Sequence, residues 1–100
     1  MAISEFDQLL IEVRARAYNA QCNLSDHVSA ITTKLVEGKG RDVAHQFLKD
    51  LNAIKDKREL AIAIKNMIPT WIAPERIYKM SDAATDFILK YSFIMDEEGV

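Results

Sequence analysis

The sequence predicts an all-α domain, a compact bundle of about five short helices arranged around a central apolar helix near residues 57–68. Apolar residues recur at spacings of three and four along most of the chain, which is the period of amphipathic helices. Only 3 glycines and 2 prolines occur in 100 residues, too few for the frequent turns of an all-β architecture. The length and a hydrophobic content of 49% fit one globular domain over residues 1–100.

The central helix is predicted from a start signal, an apolar run and a stop signal. Asp56, with Glu59 three residues later, fits a capping box in which each side chain binds a backbone N–H. Pro69 ends the helix, because proline cannot continue it. Between these signals only Lys65 and Asn66 remain for water, so we expect other helices to cover this segment. A buried strand is the alternative, but the alanines and the capped length favour a helix.

The first helix is predicted to begin after Ser4, a suitable N-cap, and to run to about Gln21. Its inward face consists of apolar residues at helical spacing: Phe6, Leu9, Leu10, Val13, Ala17 and Ala20. Ile11 and Tyr18 lie off this face, seven residues apart, and form a second, weaker apolar line. That line could contact a partner, although single apolar residues at a surface are ordinary.

The next two helices are predicted to form a hairpin. The second helix begins at Ser25 and stops at Gly38, and glycines at 38 and 40 suit a left-handed cap and a tight reversal. The third helix runs from near Arg41 to about Ile54 and is amphipathic. A phosphate-binding loop would need a longer glycine pattern, so capping explains the two glycines.

The C-terminal third is predicted to restart as a helix at Pro74, with a break at Ser81, which resembles an internal N-cap. Residues 96–100 are acidic, contain a glycine and lie at a terminus, so we expect a frayed tail.

Catalytic and metal chemistry find little support in the sequence. Cys22, His27 and His45 are the only soft or imidazole ligands and lack the paired spacing of a zinc site. A nucleophilic pair of Cys22 and His45 is an alternative, but a lone cysteine is far more often a small buried hydrophobe. We therefore expect no enzyme, no metal and no cofactor. One cysteine and no secretory signal predict a cytoplasmic setting, and no stretch predicts a membrane span.

The preferred functional hypothesis is a small non-enzymatic protein-interaction or regulatory module. The final helix leaves few polar positions on any side, which predicts more apolar surface than one small core can cover. The expected contact residues for a protein partner or a homodimer are Trp71, Phe87, Tyr91, Phe93 and Ile94. The alternative is that this helix is simply buried. Host-directed phage and mobile-element proteins are often this small, and that class is a hypothesis only.

A helix-turn-helix-like nucleic-acid binder is the alternative function. Although the net charge is −2, residues 34–65 carry 8 basic and 5 acidic side chains. The third helix would present a recognition face while nearby lysines contact phosphates. The candidate residues are Lys39, Arg41, His45, Gln46, Lys49, Lys57 and Arg58. Any helical hairpin with a glycine cap has this outline, and interspersed acidic residues dilute the charge.

Overall fold

The computed structural model describes residues 3–68 and 79–94, which form five α-helices and no strand. The helices are Glu5–Ala20 (α1), Leu24–Lys39 (α2), Arg41–Asn52 (α3), Lys57–Lys65 (α4) and Asp82–Lys90 (α5). The radius of gyration is 12.8 Å, close to the ~13 Å of a compact chain of this length. The prediction of an all-α bundle is therefore confirmed.

The first three helices follow one another through short connections, and α1 packs against α2, α3 and α4. Phe6 near the start of α1 meets His45 near the start of α3, and Arg16 near the end of α1 meets Asn52 at the end of α3. These two contacts show that α1 and α3 run in the same direction. The remaining helix α5 packs against α3 and α4.

Three helix starts are fixed by side-chain caps that the sequence predicted. The side chains of Ser4, Asp56 and Ser81 each accept a hydrogen bond from the backbone N–H three residues later, at 3.1, 3.0 and 3.3 Å. Each cap satisfies a donor that the first helical turn leaves without a partner. The predicted N-cap at Ser81 is confirmed, because α5 begins immediately after it.

The predicted capping box at α4 forms only in part. Asp56 caps the helix as expected, but the carboxylate of Glu59 accepts a hydrogen bond from the backbone N–H of Ser81 at 2.7 Å. This bond links the first turn of α4 to the residue that caps α5. The Glu59 carboxylate therefore binds the start of another helix, whereas a complete capping box would use it to bind the backbone N–H of Asp56.

The ends of α2 differ from the prediction by a few residues. The helix begins at Leu24, whose side chain is fully buried, and it continues through Gly38 to Lys39. Gly38 is therefore not the left-handed cap. That role belongs to Gly40, which has a φ of 100°, a region that side chains with a Cβ rarely adopt.

The α4 helix ends at Lys65 and is followed by a turn through Ile68. The prediction that Asn66 faces water is wrong, since only 3% of this residue is exposed. Its side-chain amide donates a hydrogen bond to the carbonyl of Ile62 at 2.8 Å. A polar side chain in the core is tolerated here because its amide is hydrogen-bonded to this carbonyl, which also accepts the backbone N–H of Asn66 at 3.0 Å.

One connected core joins all five helices. The contribution of α4 and the turn after it is Leu60, Ile62, Ala63, Ile64 and Met67, of which none is more than 7% exposed. Phe47 of α3 lies beside Phe87 of α5 and Tyr91, with ring centroids 5.3 and 5.1 Å apart. These rings close the core on the side of α5.

Arg16 contributes a tertiary link that the sequence did not predict. Its guanidinium donates hydrogen bonds to the carbonyl and the side-chain oxygen of Asn52, both at 3.0 Å, and to the carbonyl of Ile54. The two carbonyls lie at the end of α3 and in the connection to α4, where helical partners run out. Arg16 therefore fixes the connection between α3 and α4 against α1.

The expectations for Trp71, for a helix starting at Pro74 and for a frayed tail at 96–100 fall outside the described residues. Within residues 3–68 and 79–94, no helix is both long enough and apolar enough to cross a membrane.

Candidate interaction surfaces

The aromatic residues near the C-terminus form part of the core, which corrects the expectation that they are a contact surface. Phe87 and Tyr91 are each 2% exposed and Ile94 is 6% exposed. They are covered because α5 packs against α3 and α4, which brings Phe47 against two of their rings. Phe93 is half-buried against the same core, and the Lys39 ammonium lies 5.6 Å from its ring centroid. The alternative of a simply buried terminal helix is the one that the structure supports.

A polar cluster at the edge of this core centres on Asp50. Its carboxylate accepts hydrogen bonds from the Tyr91 hydroxyl at 2.7 Å, the Gln46 amide at 2.8 Å and the Lys90 ammonium at 2.9 Å. Burial acts to raise the pKa of Asp50, but the three hydrogen bonds and the Lys90 charge outweigh it and lower the pKa. The pKa of Tyr91 is raised by burial and by its bond to the carboxylate.

The Asp50 cluster connects α3 to the end of α5 through the hydrogen bonds from Lys90 and Tyr91. An open depression of about 230 Å³ lies beside it, lined by Asp50, Ala53, Ala83, Asp86, Phe87 and Lys90. The donors converge on one carboxylate whose pKa lies below its ordinary value, so the carboxylate is not tuned as a general base near neutral pH. Lys90 at the end of α5 and Tyr91 just after it lie 40 and 41 residues from Asp50, so no local sequence pattern could reveal these partners.

Cys22 and His45 do not come together as a nucleophilic pair. Cys22 is exposed, which corrects the expectation of a buried thiol. His45 stacks edge-on against Phe6, whereas Cys22 follows the opposite end of α1, about 24 Å away at 1.5 Å per residue. The nucleophilic pair is therefore separated by the length of a helix. Among the residues that the structure describes, no group of three or more potential metal ligands occurs.

The basic residues of the nucleic-acid hypothesis divide between the two ends of α1. At one end the Arg41 guanidinium lies 4.7 Å from the ring centroid of Phe6, and His45 contacts the same ring. Gln46 is bound to Asp50, and Lys49 is exposed farther along α3. Arg41 and His45 are thus turned partly toward α1, away from the exposed side of the expected recognition helix.

At the other end, three basic side chains and one acidic side chain line an open pocket. Its volume is about 590 Å³, and it lies between the end of α1 and the start of α4. The pocket is lined by Ala20, Asp56, Lys57, Arg58, Ala61, Ile62 and Lys65. Lys57, Arg58 and Lys65 line this pocket, whereas Lys39 and Arg41 lie near the start of α3, so the expected residues are not brought into one surface.

The side of α1 that faces away from the bundle is apolar along its centre. Ile11 is 53% exposed and Tyr18 is 55% exposed, with the exposed Ala15 between them. Val13 and Ala17 on the opposite side are fully buried. We call the exposed residues Asp7, Ile11, Arg14, Ala15 and Tyr18 the α1 outer face.

The described core does not cover this face, although its two larger apolar residues form the second line that the sequence predicted. Comparisons with protein-family models, with curated proteins and with solved structures found no match. The functional interpretation of the surfaces therefore depends on their own geometry and charge.

Proposed function

We propose that this chain is a non-enzymatic protein-interaction module and that it binds its partner through the α1 outer face. One observation supports this choice above the others. Ile11 and Tyr18 lie one above the other on a helix and are both more than half exposed, while Phe87 and Tyr91 are buried. Among the described helices, α1 is the one with two large apolar side chains that are each more than half exposed.

The composition of the face fits protein recognition. Tyrosine is enriched at protein interfaces because its ring supplies apolar area and its hydroxyl can bind a polar group at the rim. The neighbouring Asp7 and Arg14 are exposed, so they can form the polar border that surrounds the apolar centre of an interface. Burial of Ile11 and Tyr18 would stabilise a complex by roughly 25 cal/mol for each Å² of apolar surface removed from water.

Photocrosslinking tests the proposal directly. Replacing Tyr18 with p-benzoylphenylalanine places a photoreactive ring on the α1 outer face, and the same replacement of Leu89 is the matched control. Leu89 is 60% exposed on α5, so both probes are accessible to solvent. Irradiation in a lysate of the source cells should give discrete protein adducts at position 18 and few at position 89. Equal yields at both positions, or no adducts at position 18, would contradict the proposal.

A second candidate function is nucleic-acid binding, and the basic pocket favours it. Lys57, Arg58 and Lys65 approach one open pocket, as phosphate-binding side chains do. Weighing against it, Arg41 and His45 contact Phe6, and Asp42 and Asp50 lie on the same helix as the expected recognition residues.

Salt dependence distinguishes this second candidate from the first. If the basic residues bind nucleic acid, Arg41→Glu together with Lys57→Glu should abolish binding to a mixed DNA or RNA pool at low salt. Binding of the wild type should also fall steeply as salt rises, because phosphate contacts release counterions. Fluorescence anisotropy with labelled oligonucleotides measures both effects. Absence of binding at low salt would exclude the candidate.

A further inference from the structure

We propose that the partner of the α1 outer face is a second copy of this chain, and that the two α1 helices pair antiparallel about a twofold axis near Ile11. This inference rests on the proposed function and specifies its partner. It is argued from the order of charges along α1, from the residues that the pairing brings together and from the size of the contact.

On one flank of the face, the charges of one copy are complementary to those of the second copy when the two helices are antiparallel. Asp7 and Arg14 are seven residues apart, so they lie on the same flank, within roughly 20° of each other around the helix. A twofold axis midway between them places Asp7 of each copy beside Arg14 of the other. Both opposite-charge pairs form at once, because a twofold interface repeats every contact.

The same axis also matches the apolar residues. It passes beside Ile11, so the Ile11 side chains of the two copies contact each other. Tyr18 then lies beside the residues that precede α1 in the other copy, where Ile3 is 57% exposed. One axis thus accounts for two charge pairs and for three of the exposed large apolar residues.

The other flank is compatible with this pairing. Gln8 and Glu12 lie there, and the Gln8 amide donates to the Glu12 carboxylate at 3.4 Å within one chain. The axis brings Glu12 of one copy to the level of Gln8 of the other, where the amide can donate across the interface. A parallel pairing would instead place the Asp7 flank of one copy against the Glu12 flank of the other, where the two carboxylates would repel each other.

The contact is one helix wide, so the dimer should be weak. Stable complexes bury about 1,200–2,000 Å² in total, and a contact limited to one face of a 16-residue helix is smaller. We therefore expect a concentration-dependent equilibrium with a Kd in the micromolar to millimolar range, of order 10⁻⁶ to 10⁻³ M. Charge reversals should change such an equilibrium measurably, since both charge pairs are affected together.

A charge swap tests this arrangement. Sedimentation velocity over a range of concentrations measures the Kd of the wild type, of Asp7→Arg, of Arg14→Asp and of the double variant. Each single reversal makes two repulsive pairs and should weaken the dimer about tenfold. The double variant restores both pairs with their signs exchanged and should return to within about threefold of the wild type. Lys49→Asp, the same charge change on the exposed side of α3, is the control and should leave the Kd unchanged.

Several outcomes would overturn the second copy as partner. The first is a wild type that is monomeric at millimolar concentration. The second is a double variant whose Kd is as high as that of the single variants. The third is a Lys49→Asp variant whose Kd rises as much as that of the single variants. Circular dichroism of each variant confirms that the helices remain folded. The mass of the crosslinked adduct at position 18 separates the two proposals. An adduct of another protein refutes self-pairing but keeps the interface, whereas no adduct of either kind refutes both.

Discussion

The helices α1 and α5 both carry apolar residues outside a single stripe, but they are placed differently in the bundle. Around α5, Phe87, Ile88 and Tyr91 are buried against α3 and α4, and Leu89 alone of its large apolar residues is exposed. Around α1, which packs against α2, α3 and α4, Val13 and Ala17 are fully buried while Ile11 and Tyr18 remain exposed. The more apolar helix is thus the better covered one.

This difference shows why apolar content does not identify an interface. The number of apolar positions on a helix sets how much of its surface must be buried. The neighbouring helices decide which of those positions are buried. The C-terminal part had more apolar residues, and Phe47 together with the Asp50 cluster holds it against the core. A weaker apolar line on α1 is therefore the better candidate.

The largest expected effect compares one substitution at two isoleucines. Ile64→Asp should unfold the domain, because Ile64 is 1% exposed and an unpaired buried charge costs several kcal/mol, roughly the whole stability of a small domain. Ile11→Asp should change the free energy of unfolding by less than about 1 kcal/mol, since its side chain already contacts water. Urea denaturation followed by circular dichroism measures both. A folded Ile64→Asp protein would show that α4 is not central.

A second pair of variants tests the two sides of α5. Phe87→Ala should lower the free energy of unfolding by about 3–5 kcal/mol, because it leaves a cavity against Phe47. Leu89→Ala, two positions along on the exposed side, should change it by about 0.5 kcal/mol or less. Thermal denaturation of both variants provides the measurement. Similar losses for both would mean that Leu89 is covered in solution.

A third comparison concerns two arginines of α1. Arg16→Ala should cost about 1.5–3 kcal/mol, since the carbonyls of Asn52 and Ile54 lose a charged donor. Arg14→Ala should cost about 0.5 kcal/mol or less in the monomer, since Arg14 lies on the exposed α1 outer face. Chemical denaturation at low protein concentration keeps self-association out of the comparison. Equal costs would refute the assigned role of Arg16.

The smallest expected effect is a pH dependence that comes from the Asp50 cluster. Hydrogen bonds from Tyr91, Lys90 and Gln46 lower the pKa of Asp50, so its stabilisation is complete above about pH 4 and is lost as the pH falls through the lowered pKa. The pKa of Tyr91 is raised by burial and by Asp50, so its stabilisation is complete below about pH 10 and declines above that value.

Tyr91→Phe separates these contributions. The variant should lose about 1 kcal/mol at neutral pH and should lack the decline that Tyr91 causes above about pH 10. Tyr18→Phe is the control for the loss at neutral pH, because that ring is exposed. The free energy of unfolding measured from pH 2 to 11 checks both ends. A Tyr91→Phe protein with the alkaline decline of the wild type would contradict the assignment.

By itself, the sequence determined the helical class and the places where helices begin. Helical spacing, scarce turn residues and the caps at Ser4, Asp56 and Ser81 are local signals, and local geometry decides them. The tertiary structure alone decided that Arg16 holds the α3–α4 connection, that Glu59 binds Ser81 and that Asp50 gathers donors from α5. It also decided that Tyr91 is buried while Tyr18 is exposed. These outcomes depend on how helices pack across 22 to 41 residues of sequence, and helical periodicity carries no information about which neighbour covers which face.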